Sequence, residues 1–360
     1  MTRPRAHIAA LAPYTLAKLD VPNGIAPLQL AQNESLRPPS PKALAAAAEA
    51  MAAAHLYPDP GWSALRHALA SHHAIEAEDI VCGTGSLDLI GALARVYAGP
   101  DRAVLAPAHA YPFFRSAALL AGARFDTAPE AGGRVDIDAL LDAVRADTGL
   151  LFLANPGNPT GTRVPKSALV ELRQSLREDI LLVIDEAYGE FADHLGERCF
   201  DMFANGNTAV LRSFSKAYGM AGCRVGWGLF PASVAAELGK VLSPNNLTAP
   251  AQAAARAALL DQSYLRETLT LTARIRDRAA KKLTEAGLSL QASLTNFLMI
   301  DFGSSETAQA ADATLRAQGI LLRRQAGAGL PQMLRMTIGP EDGTARAVAA
   351  LIRLHREAIR

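Results

Sequence analysis

Lys216 stands in Ser213-Phe214-Ser215-Lys216-Ala217-Tyr218-Gly219-Met220-Ala221-Gly222-Cys223-Arg224, an amine set among hydroxyls with a guanidinium eight residues on. The apolar segment Thr208 to Leu211 leads in and reads as a strand, so the lysine falls in the turn that follows. A primary amine condenses with an aldehyde, while hydroxyls and an arginine hold a phosphate. A phosphorylated aldehyde suits such a turn. Pyridoxal phosphate is the one whose chemistry belongs to amino acids.

Other residues fit the same ligand, each beside a plainer reading. Asp185 ends the run Ile180-Leu181-Leu182-Val183-Ile184 and precedes Glu186-Ala187-Tyr188. A carboxylate at the C-terminal end of a parallel strand is where open α/β sheets place ligand groups. A buried carboxylate needs a partner, and a protonated pyridine nitrogen is one. Tyr188 could donate to the ring's phenolic oxygen. The plainer reading is a strand-end acid that caps a helix. Asn155-Pro156-Gly157-Asn158-Pro159-Thr160-Gly161 forms a loop with little freedom left to lose, from which Asn158 could donate an amide hydrogen. Gly83-Thr84-Gly85-Ser86 joins a strand to a helix, where glycine admits a phosphate to the free N–H groups. Tyr111 sits between a strand and a helix and could stack on a ring or merely pack. Tyr57 is locally a turn tyrosine. Arg335 lies mid-strand, where an unpartnered charge is costly, and Arg323 and Arg324 follow Leu321-Leu322.

These groups need a frame. Short apolar runs predict strands at Ile80–Gly83, Ala103–Ala106, Leu150–Ala154, Ile180–Ile184 and Ala209–Leu211. Helical periods predict helices over Pro41–His55, Trp62–His73, Ser86–Tyr97 and Phe113–Ala121, the first opened by Ser40 as N-cap. The alternation argues for an α/β fold with a mostly parallel sheet covered on both faces. A different regime follows Leu247: a helix over Ser263–Ala286, strands at Phe297–Asp301 and Met333–Ile338 around a helix Ser305–Gln318, and a last helix Gly343–Arg360. The expected units are an N-terminal segment, 1–40, packing on the small domain and a dimer partner; a large domain, 41–245; and a small α+β domain, 246–360.

The bulk numbers set bounds. A chain of 360 residues can hold two domains with sizeable cores. A net charge of +1 leaves no footprint for nucleic acid or a membrane surface. No run approaches the ~20 apolar residues of a spanning helix. Met1 to Leu11 has two arginines but no apolar run for a secretory signal. Three cysteines without paired spacing read as buried thiols in a reducing compartment, and a cytoplasmic protein is expected. The eight histidines show no metal-ligand spacing, so no metal is expected.

Taken together, Asn155-Pro156-Gly157-Asn158-Pro159-Thr160-Gly161, Asp185-Glu186-Ala187-Tyr188, Ser213-Phe214-Ser215-Lys216 and Arg224 resemble the fold type I pyridoxal-phosphate aminotransferases. Within them the chain is similar to the histidinol-phosphate aminotransferase branch, from Leu11-Ala12-Pro13-Tyr14 to Leu334-Arg335-Met336-Thr337-Ile338-Gly339. The resemblance implies a seven-stranded sheet in the large domain. It makes Lys216 the lysine that carries the cofactor and Asp185 the ring-nitrogen partner. It assigns the ring oxygen to Asn158 and Tyr188, the ring face to Tyr111, and the phosphate to Ser213, Ser215, Arg224, Gly85 and Ser86. Tyr57 reaches the neighbouring subunit's cofactor, which implies a homodimer. Tyr14, Asn33, Arg323 and Arg335 line the substrate site.

Three stretches depart from the branch's usual pattern. Asn33-Glu34-Ser35-Leu36 replaces Asn-Glu-Asn-Pro, Leu87-Asp88 replaces Asp-Glu, and Ala108-His109-Ala110-Tyr111 replaces Pro-Thr-Tyr. None removes a catalytic group. The implied reaction is transamination with 2-oxoglutarate, of histidinol phosphate in histidine biosynthesis or of an aromatic amino acid. A decarboxylase of amino-acid phosphates on the same cofactor is the other enzymatic reading. A non-catalytic regulator would need an added DNA-binding region, which the chain has neither the length nor the charge to supply.

Overall fold

The computed structural model describes residues 2–11 and 20–359. Helix α1 (Pro41–Met51) is opened as predicted: Ser40 Oγ accepts from Ala43 N at 3.2 Å, and proline occupies the first turn. It stops short of His55. Residues 52–55 unwind into exposed turns, because an alanine run with nothing to pack against does not hold a helix. Helix α2 (Ser63–His73) starts one residue later than predicted, since Trp62 takes a left-handed φ of 52°.

The large domain then alternates β1 (Ile80–Gly83), α3 (Ser86–Tyr97), β2 (Ala103–Pro107), α4 (Pro112–Leu120), β3 (Phe125–Ala128), β4 (Thr148–Ala154), α5 (Lys166–Ser175), β5 (Leu181–Asp185), β6 (Thr208–Ser213) and β7 (Gly226–Leu229). These seven strands form one sheet in the order β1-β7-β6-β5-β4-β2-β3. Its neighbours are parallel except β7, which runs antiparallel to both β1 and β6. Along β4 and β5 successive side chains enter opposite cores. Leu151, Leu153, Leu182 and Ile184 join one cluster, and Leu150, Phe152, Leu181 and Val183 join the other. Continuous burial on both faces is why these strands read as unbroken apolar runs.

Register decides where the chemistry goes. Ala154 pairs with Asp185, Asp185 with Leu211, and Gly226 with both Ser213 and Gly83. The loop after β4, the carboxylate ending β5, the turn after β6 and the loop after β1 therefore share one edge of the sheet.

Helices α6 (Ala232–Val241), α7 (Ala249–Leu260) and α8 (Gln262–Glu285) lead to the smaller sheet of β8 (Ser289–Leu290), β9 (Phe297–Asp301), β10 (Arg323–Gln325) and β11 (Leu330–Thr337). It is antiparallel, in the order β8-β9-β11-β10. Helices α9 (Ser305–Ala317) and α10 (Glu341–Ile359) close a separate core with Leu298, Ile300, Leu334 and Met336. The N-terminal segment joins this part: Leu28–Gln29 pairs parallel with Ile320–Leu321, and Leu30 is buried in the same core. Among the described residues no helix is long and apolar enough to cross a membrane.

Candidate active site

The shared edge opens into a cavity of about 250 Å³. Lys216, Asp185, Tyr188, Asn158, Tyr111, Ser86, Ser213, Ser215, Arg224, Asn33, Arg323 and Arg335 all line it. Gly85 is not among the lining residues but stands behind them. Tyr57 does not line the cavity and is 88% exposed. Tyr14 lies outside the described residues.

Each group is held by its element. Asn155, buried at the end of β4, bonds Val164 through both side-chain atoms, Nδ2 to O at 3.0 Å and N to Oδ1 at 2.8 Å. Gly157 N donates to Thr162 O at 2.8 Å, closing the loop that presents Asn158. Asn158 Oδ1 accepts from Arg335 Nη1, which links the large domain to β11 of the small one. Tyr111 precedes α4 and lies edge-on to Phe114, 5.7 Å between centroids, and Phe114 stacks on Phe152 in β4. His109 pins this loop to the small domain, its Nδ1 2.8 Å from Ala328 O.

Tyr188 packs edge-on to Phe297, and its hydroxyl accepts from Asn33 Nδ2 at 2.7 Å. Asn33 takes a left-handed φ of 55°. Thr337 Oγ1 accepts from its N–H at 2.9 Å, and Asn296 Nδ2 donates to its carbonyl at 3.1 Å. The N-terminal segment is thus a strut between the small sheet and the phenol at the cavity wall.

The turn after β6 has the donors to cradle an anion. Ser213 Oγ accepts from Ser215 N at 3.1 Å, and Ser215 Oγ accepts from Arg224 Nη1 at 3.3 Å. Arg224 is held at φ 54°, a strained setting for a non-glycine residue and one found at ligand sites. Across from it Ser86 opens α3, after Gly85 at φ 82°. A Cβ on Gly85 would sit 2.4 Å from Arg224 Nη2, so only glycine lets the guanidinium reach the helix N-terminus. The departure at Asp88 has a local use: Thr84 N donates to its Oδ2 at 3.0 Å.

Burial displaces the two central ionisable groups in opposite directions. It pushes the Asp185 carboxyl up to about 7, with Glu186 adding to the effect, although Ala187 N donates to Oδ1 at 3.0 Å. It brings the Lys216 ammonium down to about 8, aided by the cations of Arg335 and Arg224. Lys216 Nζ donates to Gln32 O at 3.3 Å and lies 5.9 Å from the Tyr188 ring centroid. A neutral amine is the nucleophilic form that attacks an aldehyde. A buried carboxyl held off ionisation is what a cationic ring nitrogen would return to its charged form. With hydroxyls and a guanidinium lining the same cavity, these donors fit pyridoxal phosphate.

Relatives agree with the geometry. The family profile for aminotransferase class I and II matches residues 26–351. The chain belongs to that family. A histidinol-phosphate aminotransferase of Rhodospirillum rubrum is 40% identical over 97% of this chain and 96% of its own length. One from Ruegeria sp. is 39% identical over 90% of each. The crystal structure of the histidinol-phosphate aminotransferase from Sinorhizobium meliloti in complex with pyridoxal-5'-phosphate superposes with a TM-score of 0.90, at 32% identity and 99% coverage of both chains. The chain is therefore an enzyme of the fold type I aminotransferase architecture, and the sequence resemblance stands.

Sequence reasoning missed two polar residues of this site and one behind it. Gln32 meets Lys216 through its backbone carbonyl, which no residue type could announce. Gln325 is buried and lines the cavity beside Arg323, and its only signal was an amide after an apolar strand. Arg212, next to Ser213, reads as an ordinary strand residue and is buried whole.

Proposed function

We propose that this chain is a pyridoxal-phosphate aminotransferase that moves the amino group of histidinol phosphate to 2-oxoglutarate, working as a homodimer in the cytoplasm. The observation that carries this reading is one cavity holding the Lys216–Asp185 pair together with two guanidiniums, Arg323 and Arg335. When bound, pyridoxal phosphate supplies an aldehyde that takes up the donor nitrogen and a protonated ring that withdraws electrons.

The chain's residues do the rest. Asp185 holds the proton on the ring nitrogen, and Asn158 and Tyr188 bond the ring oxygen. Tyr111 covers one ring face. Ser213, Ser215, Arg224, Gly85 and Ser86 hold the phosphate. Lys216 Nζ would remove the donor's α-proton and deliver it onward as general base and then acid. Arg335 and Arg323 take carboxylate and phosphate by charge-assisted hydrogen bonds, with Asn33 and Tyr14 completing the substrate wall. Tyr57 of each subunit reaches the other's site. The units are 1–40, 41–245 and 246–360, with substrate held between the last two.

A donor panel tests the reading. Histidinol phosphate, phenylalanine and glutamate are offered in turn, and conversion of the bound cofactor to its amine form is followed by absorbance. Histidinol phosphate should give the highest kcat/KM, and glutamate should also convert the cofactor. Preference for phenylalanine would make the chain an aromatic aminotransferase. No conversion by glutamate would favour a decarboxylase.

A further inference from the structure

Arg212 is sealed inside the protein, at 1% exposure, and no step above uses it. It precedes Ser213 on β6, so the strand's period sends it to the face opposite the anion cradle. There its guanidinium meets three acids. Nε donates to Glu186 Oε2 at 3.0 Å, Nη2 donates to Asp193 Oδ1 at 2.8 Å, and Nη1 lies 3.3 Å from Glu190 Oε1. The Phe200 ring centroid lies 4.7 Å from Cζ. Burial pushes the Glu190 carboxyl up to about 7, and Arg198 Nε lies 3.3 Å from Asp193 Oδ2, so the cluster sits near charge balance.

The acids come from the segment that carries the ring contacts. Along Asp185-Glu186-Ala187-Tyr188-Gly189-Glu190, Asp185 and Tyr188 line the cavity while Glu186 and Glu190 turn to the guanidinium. Gly189 makes the room: a Cβ there would lie 2.3 Å from Arg212 Cζ. A planar, permanently charged fork therefore joins this segment to the strand that ends in the phosphate contacts. Buried ion clusters give little net stability compared with apolar packing, and fixing one arrangement is their better-attested use.

We propose that Arg212 is a positioning residue for the cofactor, fixing the spacing between Asp185 and Tyr188 on one side and Ser213 and Ser215 on the other. This rests on the assignment of those four residues to pyridoxal phosphate. The ligand's ring and phosphate are covalently joined, so a shift of ~1 Å in one set of contacts spoils the other.

Two variants test it without touching the cavity: Glu186→Gln, which keeps the shape but drops a charge, and Gly189→Ala, which crowds the guanidinium. The readouts are the circular dichroism of the apoproteins, the Kd for pyridoxal phosphate by equilibrium dialysis, and kcat at saturating cofactor. Both apoproteins should fold with a Kd raised about tenfold, the scale of losing an outer-shell partner, and excess cofactor should restore most of kcat. Arg212→Lys, a point charge without the fork, should bind the cofactor as weakly as Glu186→Gln. Folded variants with a wild-type Kd would overturn the proposal. Should Gly189→Ala fail to fold, the isosteric Glu186→Gln decides alone. The underlying reading fails separately, if wild-type protein treated with borohydride carries no cofactor on Lys216.

Discussion

Asp185 and Lys216 are displaced by the same burial, and the displacement makes the empty protein sensitive to pH. Asp185 rises from 3.8 to about 7 on folding, so between those values only the folded apoprotein keeps the proton. Apoprotein stability therefore falls as pH rises through that window and is level above it, at a cost on the order of a few kcal/mol. Lys216 works the other way: its fall from 10.5 to about 8 makes stability rise with pH between those values. Asp185→Asn removes the first effect. Its apoprotein should melt above wild type at about pH 8, with a much smaller gap at about pH 5. Thermal unfolding of both apoproteins at the two values checks this, and a gap that does not widen with pH would count against it. The cost belongs to a ligand site, because a cation on Asp185 turns the destabilising charge into a contact.

At the scale of elements, five of the sheet's seven strands were legible, and β3 and β7 were not. Ile180–Ile184 and Leu150–Ala154 announce themselves because both faces are buried. Gly226-Trp227-Gly228-Leu229 shows no β-branched run and two glycines in four residues, yet it fills the sheet between β1 and β6. Its glycines serve contact rather than propensity. A Cβ on Gly226 would lie 2.2 Å from Ser86 N and 2.4 Å from Gly85 C, both backbone atoms that cannot swing aside. Helix α1 was overextended for the converse reason: alanine propensity predicted a longer helix than packing supports. At the site, motif residues whose side chains face the ligand could be read, whereas Gln32 and Arg212 act through a carbonyl and from behind the strand. Gly226→Ala should push the α3 loop off the anion cradle. We expect a loss of about 1–3 kcal/mol in stability, the usual cost of overpacking, with weakened retention of pyridoxal phosphate on gel filtration. Full retention would show that the loop yields without disturbing the cradle.

At the scale of the whole molecule, several large apolar side chains stand exposed around α1 and the end of α7. Leu44, Met51, Leu56 and Tyr57 around α1 and Leu260 at the end of α7 are all more than half exposed, Tyr57 at 88%. Tyr57 does not line its own chain's cavity, and a second copy covering these residues would carry it to the neighbouring one. Isologous pairing makes the exchange mutual, so each site would combine Lys216 from one subunit with Tyr57 from the other. Two damaged proteins should then repair each other. Lys216→Ala lacks the amine and Tyr57→Ala lacks the reaching phenol, so each alone should be nearly inactive. In a mixed dimer one site carries both lesions and the other carries neither. Random reassortment of equal amounts makes half the dimers mixed, so activity should recover to about a quarter of wild type. Mixing after partial unfolding and refolding, with each variant refolded alone as the control, measures it. Activity that stays at the sum of the two controls would place Tyr57 outside the neighbouring site.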